Sequence, residues 1–163
     1  MNACHILRRL VIGVVFWCVW YSVVGSGNVV ADIPRNEVNI HAYRYFYKHW
    51  PSVVGEQWNK TEEGYEASFV ERSSRNRVYF NSRGRFLYAY KYYRGEESSP
   101  ELINQVRMKY PDHSIKLVTE VTDGNKTFYI VNIMNGSSIK NLSIVEGKME
   151  LREELINGSP TRN

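Results

Sequence analysis

Four kinds of side chain in this sequence could carry chemistry, and their spacing separates them. His41, His49 and His113 stand in no i, i+4 pair and in no two-ligand spacing with each other or an acid, so they read as solvated histidines rather than zinc ligands. Glu62-Glu63, Glu96-Glu97 and Glu153-Glu154 fall in turns or near the chain end. A general acid would need one such carboxyl in an apolar pocket to raise its pKa, and no local run supplies that. Ser68, Ser73, Ser74, Ser137 and Ser138 lack a nucleophile-elbow context, and no glycine-rich phosphate loop is present. The sequence therefore reads as a non-enzyme with no catalytic residues, no metal and no cofactor.

The fourth kind is the aromatic run Arg85-Phe-Leu-Tyr-Ala-Tyr-Lys-Tyr-Tyr93. At a period of two, Phe86, Tyr88, Tyr90 and Tyr92 line one strand face, while Leu87, Ala89 and Lys91 line the other. If Leu87 and Ala89 pack inward, these rings form an exposed stripe beside Arg77 and Tyr79. Tyrosine and arginine dominate binding hot spots because they present large area and a polar end. Arg77, Tyr79, Phe86, Tyr88, Tyr90 and Tyr92 are thus the candidate binding residues. The competing reading packs the tyrosines against Tyr43 and Tyr47 of the first helix as core.

The elements that must position this stripe follow a pattern met twice. Val38–Trp50 reads as a helix stopped by Pro51, with Asn36 as its N-cap and Ile40, Tyr43, Tyr47 and Trp50 on its apolar face. Pro100–Tyr110 reads as a second helix, with Ser99 as N-cap, Glu101 at the positive end of the dipole and Pro111 as the stop. Each is followed by runs of period two: 53–58, 64–70, 77–81 and 85–92, then 114–121, 127–134, 138–145 and 148–154. The links are short, and Asn135-Gly136 is a hairpin signal, so neighbouring strands should pair antiparallel. Tyr129, Val131 and Ile133 should face the helices, with Phe128, Ile130 and Met134 opposite. The reading is α+β: two similar helix-plus-antiparallel-strand units, about 37–93 and 99–155, sharing one sheet with the helices on one face. Residues 32–156 form the single domain, and 157–163 a polar tail.

Residues 1–31 read as a secretory signal: Arg8 and Arg9, an apolar run from Leu10 to Val24, then Val29-Val-Ala31 at a cleavage position. The run is short for a membrane span, which needs about 20 residues. Membrane attachment follows only if this leader is retained. Both cysteines, Cys4 and Cys18, lie inside it, and Phe16-Trp17 before Cys18 argue against a lipoprotein. Of 21 basic residues, Arg8 and Arg9 belong to the leader, leaving 19 against 17 acidic ones, which argues against a nucleic-acid partner. Of the Asn-x-Ser/Thr tripeptides at Asn59, Asn125, Asn135, Asn141 and Asn157, four sit at or beside an expected turn or in the tail, and the set reads as turn residues rather than glycan acceptors.

From Val38 to Leu155, the helix ending in aromatic-Pro, Trp58, the Gly64-Tyr65-x-Ala67-x-Phe69 strand and the Asn81-x-x-Gly84 turn resemble the tandem PepSY-like, or beta-lactamase-inhibitor-like, family of exported Bacteroidetes proteins. The resemblance implies helices laid on one face of an antiparallel sheet and supplies no catalytic residues. Its motifs concern packing and turns, and a shared fold does not carry a shared function. The expectation is a secreted or periplasmic binding protein whose partner is an envelope protein or peptide, with inhibition of an envelope enzyme as one outcome. The alternative is a carrier of a small ligand or cell-wall fragment. Export should remove residues 1–31. Mass spectrometry of the exported protein checks this: a chain starting at Asp32 is expected, and an intact Met1 would make the protein tethered.

Overall fold

The structure, a computed structural model, describes residues 32–156. The expected leader and the 157–163 tail lie outside the described residues. The element order is a 3-10 turn at Arg35–Glu37, α1 (Ile40–His49), β1 (Gln57–Lys60), β2 (Gly64–Glu71), β3 (Ser74–Asn81), β4 (Phe86–Arg94), a 3-10 turn at Gly95–Glu97, α2 (Pro100–Lys109), β5 (Ser114–Asp123), β6 (Lys126–Met134), β7 (Ser138–Val145) and β8 (Lys148–Ile156). The eight strands form one antiparallel sheet in chain order. The class is α+β, with the same helix-then-four-strand order met twice.

Both helices run for ten residues, and both are stopped at an aromatic residue before proline. The Trp50 N–H closes on the Phe46 carbonyl at 2.8 Å, and the Tyr110 N–H on that of Val106 at 2.9 Å. Ser99 caps α2 as expected, its hydroxyl accepting from the Leu102 N–H. At α1 the cap is Asn39, accepting from the His41 N–H at 2.9 Å, rather than Asn36. The 3-10 turn takes up residues 35–37 and delays the helix. That delay also rotates its buried face: Val38, Ala42 and Phe46 are buried, and Ile40 is 53% exposed.

Each helix packs on its own half of one sheet face. Ala42 and Phe46 meet Trp58, Ala67, Phe69, Val78 and Phe80; Leu102 and Val106 meet Val118, Val131, Ile133, Leu142 and Ile144. On β4, Ala89 packs into the first core and Tyr93 into the second. Residues four apart on an unbroken strand share a face, so both helices lie on the same side. Among the described residues no helix is long and apolar enough to cross a membrane.

Two expected strands shift. The first begins at Gln57 rather than Val53, because Gly55 takes φ +81° and bends the chain away from the sheet. Val53 and Glu56 are buried in that loop instead. The Glu56 carboxylate has no exposed surface; Arg35 Nε lies 2.7 Å from Oε1, Arg35 Nη2 donates to Oε2 at 3.1 Å, and the Tyr47 hydroxyl donates to Oε1. Burial alone would push Glu56 up, but these donors outweigh it and hold its pKa below the ordinary value. The third strand begins at Ser74, because a two-residue turn at Arg72-Ser73, with Arg72 at φ +55°, is enough to reverse the chain.

Gly84 and Gly147 both sit in turns, at φ +75° and +77°. Only Gly84 touches a helix: a Cβ there would fall 2.6 Å from Asn39 Oδ1 and 2.7 Å from the Ala42 nitrogen, whereas at Gly147 it would meet open space. Alanine at Gly147 should therefore cost only the conformational penalty, roughly 1 to 2 kcal/mol. Gly84→Ala should cost clearly more, because it also displaces the cap of α1. Equal denaturation midpoints for the two variants would show that the turn does not fix α1.

Candidate binding face

The side of the sheet away from the helices is built from rows of side chains running across the strands, because every pairing is antiparallel and alternate residues share a face. One row reads Gln57, Ser68, Arg77, Tyr90, Val121, Phe128, Val145 and Lys148 from β1 to β8. Beside it runs Val70, Arg75, Tyr92, Thr119, Ile130, Ser143 and Glu150. On the other flank lie Asn59, Glu66, Tyr79 and Tyr88.

Five of the six candidate residues are brought together here: Arg77, Tyr79, Tyr88, Tyr90 and Tyr92. The sixth is not. The register slips between Tyr79 and Phe80, so that Tyr79 pairs with Tyr88 while Phe80 pairs with Phe86, and Leu87 is the inserted residue of a bulge. A bulge reverses the alternation. Phe86 therefore turns to the helix side, where its ring stacks on Tyr45 at 5.1 Å and 13°. The period of two, followed without interruption through Leu87, placed it on the wrong face.

The tyrosines are neither a freely exposed stripe nor core beneath α1. They are half-buried against one another, with ring centroids 4.8 Å apart for Tyr79 and Tyr88, 5.3 Å for Tyr88 and Tyr90, and 6.0 Å for Tyr90 and Tyr92. Tyr43 and Tyr47 instead contact each other on the helix side, at 4.6 Å. Arg77 Nε lies 3.7 Å from Glu66 Oε1. Burial pulls the Arg77 pKa down, but Glu66 and the Tyr79 hydroxyl more than restore it. Burial also raises the Tyr79 and Tyr90 hydroxyls, with Glu66 adding to the effect at Tyr79.

Beyond the rings the face turns apolar and then polar. Val121 has no exposed surface and Phe128 only 7%, with Tyr90, Ile130 and Val145 packed around them. Phe128 and Ile130 lie opposite the helices as expected, and Tyr129, Val131 and Ile133 face them. Farther along, Asn132 Nδ2 donates to Asn141 Oδ1 and Asn141 Nδ2 to Glu153 Oε2, each at 2.9 Å. Arg152 Nε donates to Ser143 Oγ at 2.7 Å. Val121, Asn141 and Arg152 were missed as members of this face, because cross-strand register decides it; Glu66, turned outward by its alternation with Tyr65, Ala67 and Phe69, was missed only as the partner of Arg77. Among the described residues no three His, Cys, Asp or Glu side chains come together as a metal site.

The chain is similar in fold to solved structures of Bacteroides proteins. It superposes on a DUF2874 family protein from Bacteroides ovatus with a TM-score of 0.59 at 18% identity, covering 77% of this chain and 89% of that one. A BLIP-like protein from Bacteroides fragilis gives 0.59 at 18%, covering 80% and 93%. A provisionally periplasmic protein from Bacteroides eggerthii gives 0.56 at 15%, covering 73% and 88%. At these identities the likeness is one of fold. No protein-family profile matches the sequence, and no curated protein does.

The half-buried hydroxyls generate a pH dependence with a defined sign. Burial pushes Tyr92 from its ordinary 10 up to about 12, so its proton is held more tightly in the folded chain. The resulting stability is fully present below pH 10 and is lost as pH rises through about 12. Thermal melting should fall across that window, and Tyr92→Phe should flatten the fall. An unchanged slope in that variant would remove Tyr92 from the buried cluster.

Proposed function

We propose that this protein is an exported, non-enzymatic binding protein that uses the helix-free face of its sheet, centred on Tyr79, Tyr88, Tyr90 and Tyr92, to hold a protein or peptide of the cell envelope. The observation that carries the reading is the packing of four tyrosines ring on ring on a face that no helix covers among the described residues. A tyrosine held by its neighbours has little rotamer freedom left to lose, so a partner that buries its remaining edge gains area at low entropic cost. The adjoining Ile130 and Val145, partly buried over Val121 and Phe128, extend an apolar centre, and Arg77, Glu66 and Arg152 give it a polar rim, the arrangement of a protein-binding surface.

The shared fold with a BLIP-like protein and a provisionally periplasmic one supports an envelope setting and the beta-lactamase-inhibitor-like side of the resemblance implied by the sequence. Inhibition of an envelope enzyme is one form that this binding would take. The leader at 1–31 supplies export, and a carrier of a cell-wall fragment is the second reading, favoured by a cleft at the corner of the face.

The test is affinity capture from envelope extract with wild type, Tyr88→Ala and Tyr90→Ala. Each truncation should weaken capture of a common partner by roughly 1 to 3 kcal/mol. Each should also lower stability by roughly 0.5 to 1.5 kcal/mol through lost ring contacts. Equal capture by wild type and both variants would retire the tyrosine face.

A further inference from the structure

β1 begins too late to accompany β2 along its whole length. It pairs with Tyr65 through Ser68, so Phe69, Val70 and Glu71 run on with no strand on that side among the described residues. The arriving chain turns aside at Gly55, and a cleft of about 380 Å³ opens in the space left. Val54 and Val70, 91% and 64% exposed, stand on its walls. Gln57 and Ser68 supply polar groups, and Arg75 and Arg77 line it, with no carboxylate among the lining residues. Arg75 has no ion pair among the described residues. The Arg77 side chain is 52% exposed, and its contact with Glu66 is a loose 3.7 Å.

We infer that this cleft receives a carboxylate carried by an extended peptide lying along the free edge of β2. Three features converge on that occupant. The unpaired edge offers main-chain hydrogen bonds to an extended chain and to nothing compact. The guanidinium fork matches a carboxylate in plane and spacing, and two such groups without a lining acid leave net positive charge to be met. Val54 and Val70 give an apolar side chain beside the carboxylate a place to rest. The inference rests on the helix-free face being a binding surface and extends that surface past the tyrosines to the sheet edge, since Arg75 and Arg77 are register neighbours of Tyr92 and Tyr90.

Amide-shift NMR on the exported protein tests it, with acetyl-Val-Glu-Val-amide, its Gln counterpart, acetyl-Val-Val with a free carboxyl terminus, and inorganic phosphate as probes. A carboxylate peptide should shift the amides of Val54 to Gln57 and Ser68 to Arg77 and bind roughly tenfold tighter than the neutral peptide. Arg75→Gln should abolish that preference with an unchanged melting transition. Preference for the Glu peptide assigns the carboxylate to a side chain, and preference for acetyl-Val-Val assigns it to a chain end. Equal binding of Glu and Gln peptides, no shift with any peptide, or phosphate binding as tightly as the peptides without shifts along β2 would each overturn the inference. Tyr88→Ala should leave these shifts intact, so loss of partner capture through the tyrosines and loss of peptide binding at the edge fail independently.

Discussion

The pairing of β4 with β5 is the interaction on which the rest depends. β4 belongs to the first helix-plus-strand half and β5 to the second, and their register sets Tyr90 against Val121, Tyr92 against Thr119 and Tyr93 against Val118. One strand thereby serves three packing regions. Ala89 closes the core under α1, Tyr93 joins the core under α2, and Tyr90 leans on Val121 across the open face. A short helix on a few strands buries little apolar surface, and merging two such halves into one sheet removes two edges that would otherwise stay unpaired.

The open face takes its character from side-chain size. Small residues in its middle, Val121 and Ser143, are almost fully buried although no described helix lies over them. Their large neighbours shield them. The same crowding holds the tyrosines, which keep part of each ring in solvent while burial raises their hydroxyls. Ordering is thus completed during folding, so association does not have to supply it.

Irregularities decide where that face begins and ends. The bulge at Leu87 sends Phe86 under the helices and starts the tyrosine series at Tyr88. A second slip, between Asn141 and Leu142, sets Arg152 against Ser143 on the far side of the sheet. At the near side, Gly55 ends the partnership of β1 with β2. Each is a single-residue event, and each redirects a whole run of side chains because strand alternation leaves only two directions to point.

Local rules were enough for the elements themselves. Proline after an aromatic residue ended both helices, Ser99 capped α2, Asn135-Gly136 turned a hairpin, and period-two runs marked the strands, because these are set by φ, missing N–H groups and side-chain reach within a few residues. The sequence also placed Tyr129, Val131 and Ile133 opposite Phe128 and Ile130, since alternation on an unbroken strand is itself local. It did not determine that Asn39 rather than Asn36 caps α1, that 53–56 leaves the sheet to bury Glu56 against Arg35 and Tyr47, or that Phe86 parts company with Tyr88. Those outcomes needed partners from distant strands: a bulge exists only relative to the strand it faces, and a carboxylate stays buried only when a distant arginine and tyrosine satisfy it. Whether a tyrosine is stripe or core is likewise a property of the assembled sheet, where register and neighbouring ring volume, not residue type, set how much of it water still touches.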